Sequence, residues 1–247
     1  MSVEFIAPLV LVFVVAALFL GTQVIAPWKA RRRIRAALLR LGWSEVHPED
    51  DSAWNEILKL AIERGRGDAD DRENEQAVGP FTMKVATDWK RSAKVLEVYR
   101  ETGTGIRRYA AVGIQQERYR ARSILHNRDR TSASREFWIG EARPIGVKVP
   151  GRVFSATAGM IGEAARRMVL SRGGDPDIAE LSTRTPDSGM AGALHDRLSR
   201  TGLAKRLLAE IYVAPRSWVL AVPLAKVGRD IEEVLALARD ISQSLDR

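Results

Sequence analysis

The chain contains no cysteine. Disulfides, thiolate nucleophiles and cysteine-based zinc sites are therefore excluded. Only three histidines are present, His47, His126 and His195, and they lie far apart without ligand spacing. There is no G-x-x-x-x-G-K-[ST] loop to cradle phosphates, no G-x-S-x-G elbow and no H-E-x-x-H pair to place two imidazoles on one helical face. Thr102-Gly-Thr-Gly105 and Arg172-Gly-Gly-Asp-Pro-Asp177 contain glycine, but neither has the spacing or the strand-to-helix setting of a dinucleotide loop, and both read as turns. His195-Asp196 with a distant Ser155 is a poor nucleophilic arrangement, because adjacent helical residues point about 100° apart and do not orient each other. Asp68, Asp70, Asp71, Glu73 and Glu75 lack the ordered ligand and glycine positions of a calcium loop, so they read as a solvated linker. The sequence assigns no catalytic residue, no metal ligand and no cofactor.

One feature stands against these absences. An apolar run extends from Phe5 to Ala26, is closed by Trp28, and is followed at once by Lys29, Arg31, Arg32, Arg33, Arg35 and Arg40 with no acidic residue among them. Twenty-two helical residues rise about 33 Å, enough to cross a hydrocarbon core of about 30 Å. A cleaved signal peptide would carry its positive charge before the apolar region and a small-residue exit after it. Here the N-terminal flank holds Glu4 and no cation, and Val24-Ile-Ala26 is followed by Pro27. A retained transmembrane helix is expected over residues 5–28, after a short extracytoplasmic segment 1–4. Basic flanks stay on the cytoplasmic side, so residues 29–247 are expected inside. Trp28 suits an interfacial aromatic position, and Lys29, Arg31, Arg32, Arg33 and Arg35 form the matching membrane-interface set. The predominance of arginine over lysine fits a GC-rich bacterial genome, whose inner membrane is the expected location.

The formal charge of +8 would suggest a nucleic-acid partner if it were spread through the chain. It is not. Residues 41–247 hold 33 basic and 30 acidic residues, so most of the excess lies beside the apolar run. Within that body residues 107–135 stand out, with eight arginines, two acids and interleaved Tyr109 and Tyr119. Such a stripe can be an ordinary solvated face, can meet an anionic leaflet or an acidic partner, or can bind nucleic acid. A tethered domain meets anionic lipid at high effective concentration and is held away from a nucleoid, which disfavours nucleic acid. Arg118, Arg120 and Arg122 are the candidates for anionic-surface contact.

The pattern after the apolar run reads as an α+β fold with a mixed, largely antiparallel sheet and amphipathic helices. Residues 29–43 form a basic juxtamembrane helix in which Ile34, Leu38 and Leu41 oppose the arginines, and Gly42 ends it. This helix either continues the span or lies on the membrane surface. Residues 44–247 form the domain proper, with a helix carrying Trp54, Ile57, Leu58, Ala61 and Ile62, and an acidic loop over 65–80. Strands are expected at Phe81–Val85, at Val95–Tyr99 and Tyr109–Ile114 about the Thr102–Gly105 turn, and at Glu136–Val149 with an interruption at Pro144. A helix over 157–170, a loop over 171–189, a helix over Met190–Ala209, strands at Ile211–Val213 and Trp218–Leu224, and a final helix carrying Ile231, Val234, Leu235, Ala238, Ile241 and Leu245 complete the reading. The function this suggests is a noncatalytic cytoplasmic interaction or scaffold module at the membrane. Its partners would be the bilayer through residues 5–28 and a membrane protein or anionic lipid. The alternative is a membrane-tethered enzyme with a composite site for an anionic substrate.

Overall fold

The computed structural model describes residues 10, 12–14, 21, 25–47, 51–63, 77–78, 81–82, 86–103, 105–122, 127–148, 150–156 and 189–246. In chain order these give α1 (Ala26–Arg40), β1 (Trp43–Glu45), α2 (Ser52–Glu63), β2 (Ala77–Val78), β3 (Phe81–Thr82), β4 (Ala86–Glu101), β5 (Arg108–Arg122), β6 (Asn127–Ala142) and β7 (Gly151–Ser155). They continue with α3 (Gly189–Thr201), α4 (Leu203–Arg206), β8 (Glu210–Ala214), β9 (Ser217–Pro223) and α5 (Leu224–Ser244). The expected α+β class with an antiparallel sheet is what the chain forms. Seven strands run in the order β1-β4-β5-β6-β9-β8-β7, every neighbouring pair antiparallel, with β2 and β3 as a separate pair. Among the described residues no helix is long and apolar enough to cross a membrane.

The period of two in each strand decides the layers. Along β5, Tyr109 and Ala111 face one side while Ala110 and Val112 face the other; β6 repeats this with Trp138 against Phe137 and Ile139, and β9 with Val219 and Ala221 against Trp218, Leu220 and Val222. One face is covered by α2, whose Trp54, Ile57, Leu60 and Ala61 recur at helical spacing and are buried. The other is covered by α1, α3, α4 and α5, through residues such as Ile34, Leu38, Leu194, Leu198, Leu207, Val234, Ala238 and Ile241. The central part of the sheet is thus buried on both faces.

Two glycines allow the close approaches this needs. A Cβ at Gly113 would fall 2.2 Å from the Trp138 ring on the next strand, and a Cβ at Gly140 would fall 2.2 Å from the backbone oxygen of Trp218. The indole of Trp138 occupies the space that a side chain at 113 would take. A β-bulge between Val95 and Glu97 then inverts the alternation of β4. Val95 packs on the α2 side, whereas Leu96 packs with the α1 side and Glu97 pairs with α1.

Several expected boundaries move. The helix over Met190–Ala209 is two helices, because Gly202 adopts a left-handed conformation at φ +68° between α3 and α4. The strand over Glu136–Val149 ends at Ala142 and begins earlier, at Asn127, since Arg143 and Ile145 donate their amides to the Pro215–Arg216 turn instead of to a strand. The final helix begins at Leu224, seven residues before Ile231, with a non-helical residue at Asp230. The expected helix over 157–170 and most of the acidic loop 65–80 lie outside the described residues.

Helix α1 belongs to this core. Ile34 and Leu38 are fully buried, and α1 packs along α5 and onto β1. Leu41, by contrast, is 41% exposed. Gly42 ends the helix as the sequence indicates, at φ +83°. Replacing Leu38 with Ala should therefore cost the whole domain about 2–5 kcal/mol. Leu41→Ala should change stability by no more than about 0.5 kcal/mol. Urea unfolding of the full chain in nonionic detergent measures both; equal, small effects would show that α1 is not part of the cooperative core.

Candidate functional site

The six basic residues of α1 are sorted by helical register. Arg31 and Arg35, one turn apart, turn toward the sheet and pair with Glu97 at 2.5 Å and Glu45 at 2.9 Å. Glu97 also accepts a 2.9 Å hydrogen bond from the Tyr99 hydroxyl. Arg40 pairs with Glu232 of α5 at 2.9 Å, with both side chains largely exposed. Arg32, one turn after Trp28, lies over that indole at 4.8 Å from the ring centre, and Trp28 is 52% exposed. Lys29 and Arg33, again one turn apart, have no acidic partner among the described residues.

Those two cations border a cavity of about 750 Å³. Its walls are the first two turns of α1 (Ala26, Pro27, Ala30), the strand positions Ile114 and Gln116 of β5, Ala133, Ser134 and Arg135 of β6, and the start of α5 at Leu224 and Ala225. Register brings them together: Ile114 stands opposite Arg135, and Gln116 opposite Ala133. Lys29, Arg33 and Arg135 put three cations around the space, and among the described residues no carboxylate lines it. None of the three has an ion pair among the described residues. Apolar side chains supply the remaining wall, so the cavity has the mixed lining of an anion site with an apolar flank.

Beyond this cavity β4, β5 and β6 continue as a three-stranded arm, and the segment 107–135 is the β5–β6 hairpin within it. Arg118 stands in register with Lys90 and Thr131, and Arg122 with Ala86 and Asn127. Arg120 stands between Asp88 and Asp129. The three candidate arginines therefore occupy alternate positions of one strand, in continuation of Ile114 and Gln116, and the middle one has an acidic residue in register on each side.

At the opposite end of β5 and β6 a different set of charges is buried. Glu141 is fully excluded from solvent. Its carboxylate accepts hydrogen bonds from Arg108 Nε at 2.6 Å, Ser242 Oγ at 2.8 Å and Trp218 Nε1 at 3.1 Å, with Arg143 Nε 2.9 Å away. Arg108 reaches on to Glu101 at 2.7 Å, and Arg143 to the Ser242 carbonyl at 2.7 Å and to Asp246. Every polar atom of the Glu141 side chain is thus occupied by a protein group, and the cavity beside Lys29 and Arg33 does not border it. Its chemistry is that of a structural lock.

A second polar contact secures α2. Asp51 accepts from the Ala53 amide at 3.0 Å, capping the helix, and from the Tyr109 hydroxyl. Partial burial alone would raise the Asp51 pKa, but the Tyr109 hydroxyl, the amides of Ala53 and Trp54 and the charge of Arg100 outweigh it and hold the carboxyl below its ordinary range. Burial, and then the bond to Asp51, push Tyr109 up to about 12. Tyr99 moves in the same direction through burial and its bond to Glu97.

The remaining sequence candidates do not converge. His47 and His195 are exposed, with His195 Nδ1 3.5 Å from the exposed Asp196. His126, the acids of 68–75, Asp175 and Asp177 lie outside the described residues. Among the described residues no group of three or more His, Asp or Glu could hold a metal ion. Sequence reasoning singled out neither Arg135 as a partner of Lys29 and Arg33 nor Glu141 as a buried anion. A signal existed for Glu141, a carboxylate one residue beyond the apolar stretch Phe137–Gly140, where burial demands a partner.

Comparison of the chain with known protein families, curated proteins and solved structures finds no match.

Two measurements test the polar contacts. Glu141→Gln should destabilise the domain by about 3–5 kcal/mol, because two arginines lose their buried counter-charge; chemical denaturation reads it, and a change under about 1 kcal/mol would refute the lock. The raised pKa of Tyr109 means its contribution to stability is complete below pH 10 and fades as pH climbs through about 12. The depressed pKa of Asp51 means its contribution is present above its ordinary 3.8 and fades as pH falls through the lower folded value. Tyr109→Phe should flatten the alkaline decline and move the acid decline to higher pH. Stability profiles that superimpose on the parent at both extremes would show the pair is uncoupled.

Proposed function

We propose that this is a single-pass membrane protein, anchored by residues 5–28 with its N-terminus outside, whose cytoplasmic α+β domain is a noncatalytic interaction or scaffold module acting at the inner membrane. The observation that carries this reading is the apolar run Phe5–Ala26 set against a strictly basic flank. Three structural features support it. The largest exposed apolar side chains cluster at that end: Val10, Val12, Phe13, Val14, Ile25 and Trp28, each about half exposed or more. Such a concentration marks an interaction surface. Ile25, just before helix α1, has helical φ −71°, ψ −45°, and no side chain caps the first turn. Finally, its first two turns carry Lys29, Arg31, Arg32 and Arg33 and no acid. Cations at the positive end of a free helix are unfavourable, whereas in a helix continuing upstream those turns are no longer its N-terminus.

The consequence is mechanical. With Ile34 and Leu38 locked in the core, a helix passing from the bilayer into α1 holds the domain at a fixed height and orientation beneath the membrane. That suits a module that positions a partner. The membrane part is tested by alkaline carbonate washing and by protease accessibility of tags at either end. The expected result is retention in the membrane, with only the N-terminal tag open to protease from outside. Release by carbonate would overturn the anchor. The module part is tested by mass spectrometry of proteins co-purifying with the full chain, against the same anchor carrying an unrelated domain. A stoichiometric, domain-dependent partner is expected; saturable turnover of an anionic substrate with no such partner would favour an enzyme.

A further inference from the structure

We infer that the cavity between α1, β5, β6 and the start of α5 is a binding site for a phosphate-bearing anion, presented to it by the headgroup of an anionic phospholipid. This rests on the membrane-anchored reading for the source of the ligand, but not for the site itself.

The division of the basic residues is the first argument. In the first two turns of α1 and beside them, the structure neutralises the cations that face the sheet, Arg31 and Arg35, with Glu97 and Glu45. It places Arg32 on Trp28. Lys29, Arg33 and Arg135 come from two elements far apart in sequence, converge on one space of about 750 Å³, and meet no carboxylate there among the described residues. Three like charges around one cavity repel one another unless an anion is shared between them. Gln116 adds a hydrogen-bonding group to the same wall, Ser134 borders it with its hydroxyl already donated to Glu136 at 2.8 Å, and the opening residues of α5, Leu224 and Ala225, complete it. An arginine fork with a second arginine and a lysine suits the three acceptor oxygens of a phosphate.

The second argument is position. The lining residues Ala26 to Arg33 rise about 12 Å along the helix immediately below the end of the apolar run. The polar headgroup layer of one leaflet is roughly 5–8 Å deep. The cavity therefore lies at headgroup height if the helix runs on into the bilayer, and Pro27, Ala30, Ile114 and Leu224 give it an apolar flank.

The test uses the full chain, delipidated in nonionic detergent. Native mass spectrometry counts retained phosphatidylglycerol and phosphatidylcholine, and a parallel titration uses sn-glycerol 3-phosphate. Wild type should retain phosphatidylglycerol over phosphatidylcholine, less so as salt rises. The variant carrying Lys29→Gln, Arg33→Gln and Arg135→Gln should lose at least about tenfold in that retention. Ala133→Trp leaves every charge in place and fills the cavity from an exposed strand position, so it should lose retention as well. A variant with Arg40→Gln, Arg197→Gln and Arg206→Gln removes as much charge elsewhere and should bind as wild type. Tight binding of glycerol 3-phosphate that displaces the lipid and is lost in the same variants supports the phosphate site but makes its ligand a soluble ester. Equal retention of the two lipids, or undiminished retention in either cavity variant, overturns the site. If the triple variant unfolds, Ala133→Trp still decides, and Arg135→Lys should restore binding lost on Arg135→Gln. Because binding is read in detergent, release of wild type from membranes by carbonate would refute the anchor alone.

Discussion

The fold turns on Glu141. Its carboxylate sits at 0% exposure among groups from four other places in the fold: Arg108 of β5, Arg143 just beyond β6, Trp218 of β9 and Ser242 of α5. Removing a carboxylate from water is expensive, and only full satisfaction of its lone pairs makes the burial tolerable. The central strands and the last helix must therefore meet in one register for the charge to be compensated. Shifting any strand by one residue would turn the partner to the opposite face and leave the anion bare. An apolar core tolerates many arrangements; this cluster tolerates one.

The two ends of the long strands β4, β5 and β6 have opposite electrostatic logic. At the Glu141 end opposite charges are buried and matched. At the other end, beside the start of α1, like charges are gathered around an open space with no acidic partner among the described residues. The same residue type does both jobs, and the difference lies in where each arginine falls on its helix or strand. On α1 a step of one turn keeps a residue on its face while a step of one residue moves it by about 100°. Arg31 and Arg35 thus become structural while Lys29 and Arg33 stay available, although they are interleaved in one short stretch.

Much of this was legible beforehand. The α+β class, the antiparallel strands about the Thr102–Gly105 turn, the apolar faces of α2 and α5, and the glycine stop at Gly42 follow from local periodicity and turn chemistry, which depend on near neighbours in the chain. The failures share a cause. Gly202 splits α3 from α4 through a left-handed residue, although the apolar pattern runs across it. Strand β6 ends at Ala142 because the turn at Pro215 captures the next amides, a competition between distant segments that local pattern does not contain. Likewise Ile34 and Leu38 looked like one face of a juxtamembrane helix, and nothing nearby in sequence said that α5 would cover it. The basic segment 107–135 read as one stripe, but pairing sets Arg120 between Asp88 and Asp129 and sends Arg135 back toward α1.

By itself the sequence determined the apolar run and its basic flank, the absence of cysteine chemistry and local catalytic motifs, and the periodicity that makes strands and helices. Each of these is a property of contiguous residues, where composition and spacing act directly. Tertiary structure alone decided which arginines are spent on ion pairs and which surround a cavity, that α1 is part of the core, and that Glu141 is buried. Those outcomes depend on contacts between residues separated by tens to hundreds of positions, whose geometry is fixed only when the sheet closes and the helices pack upon it.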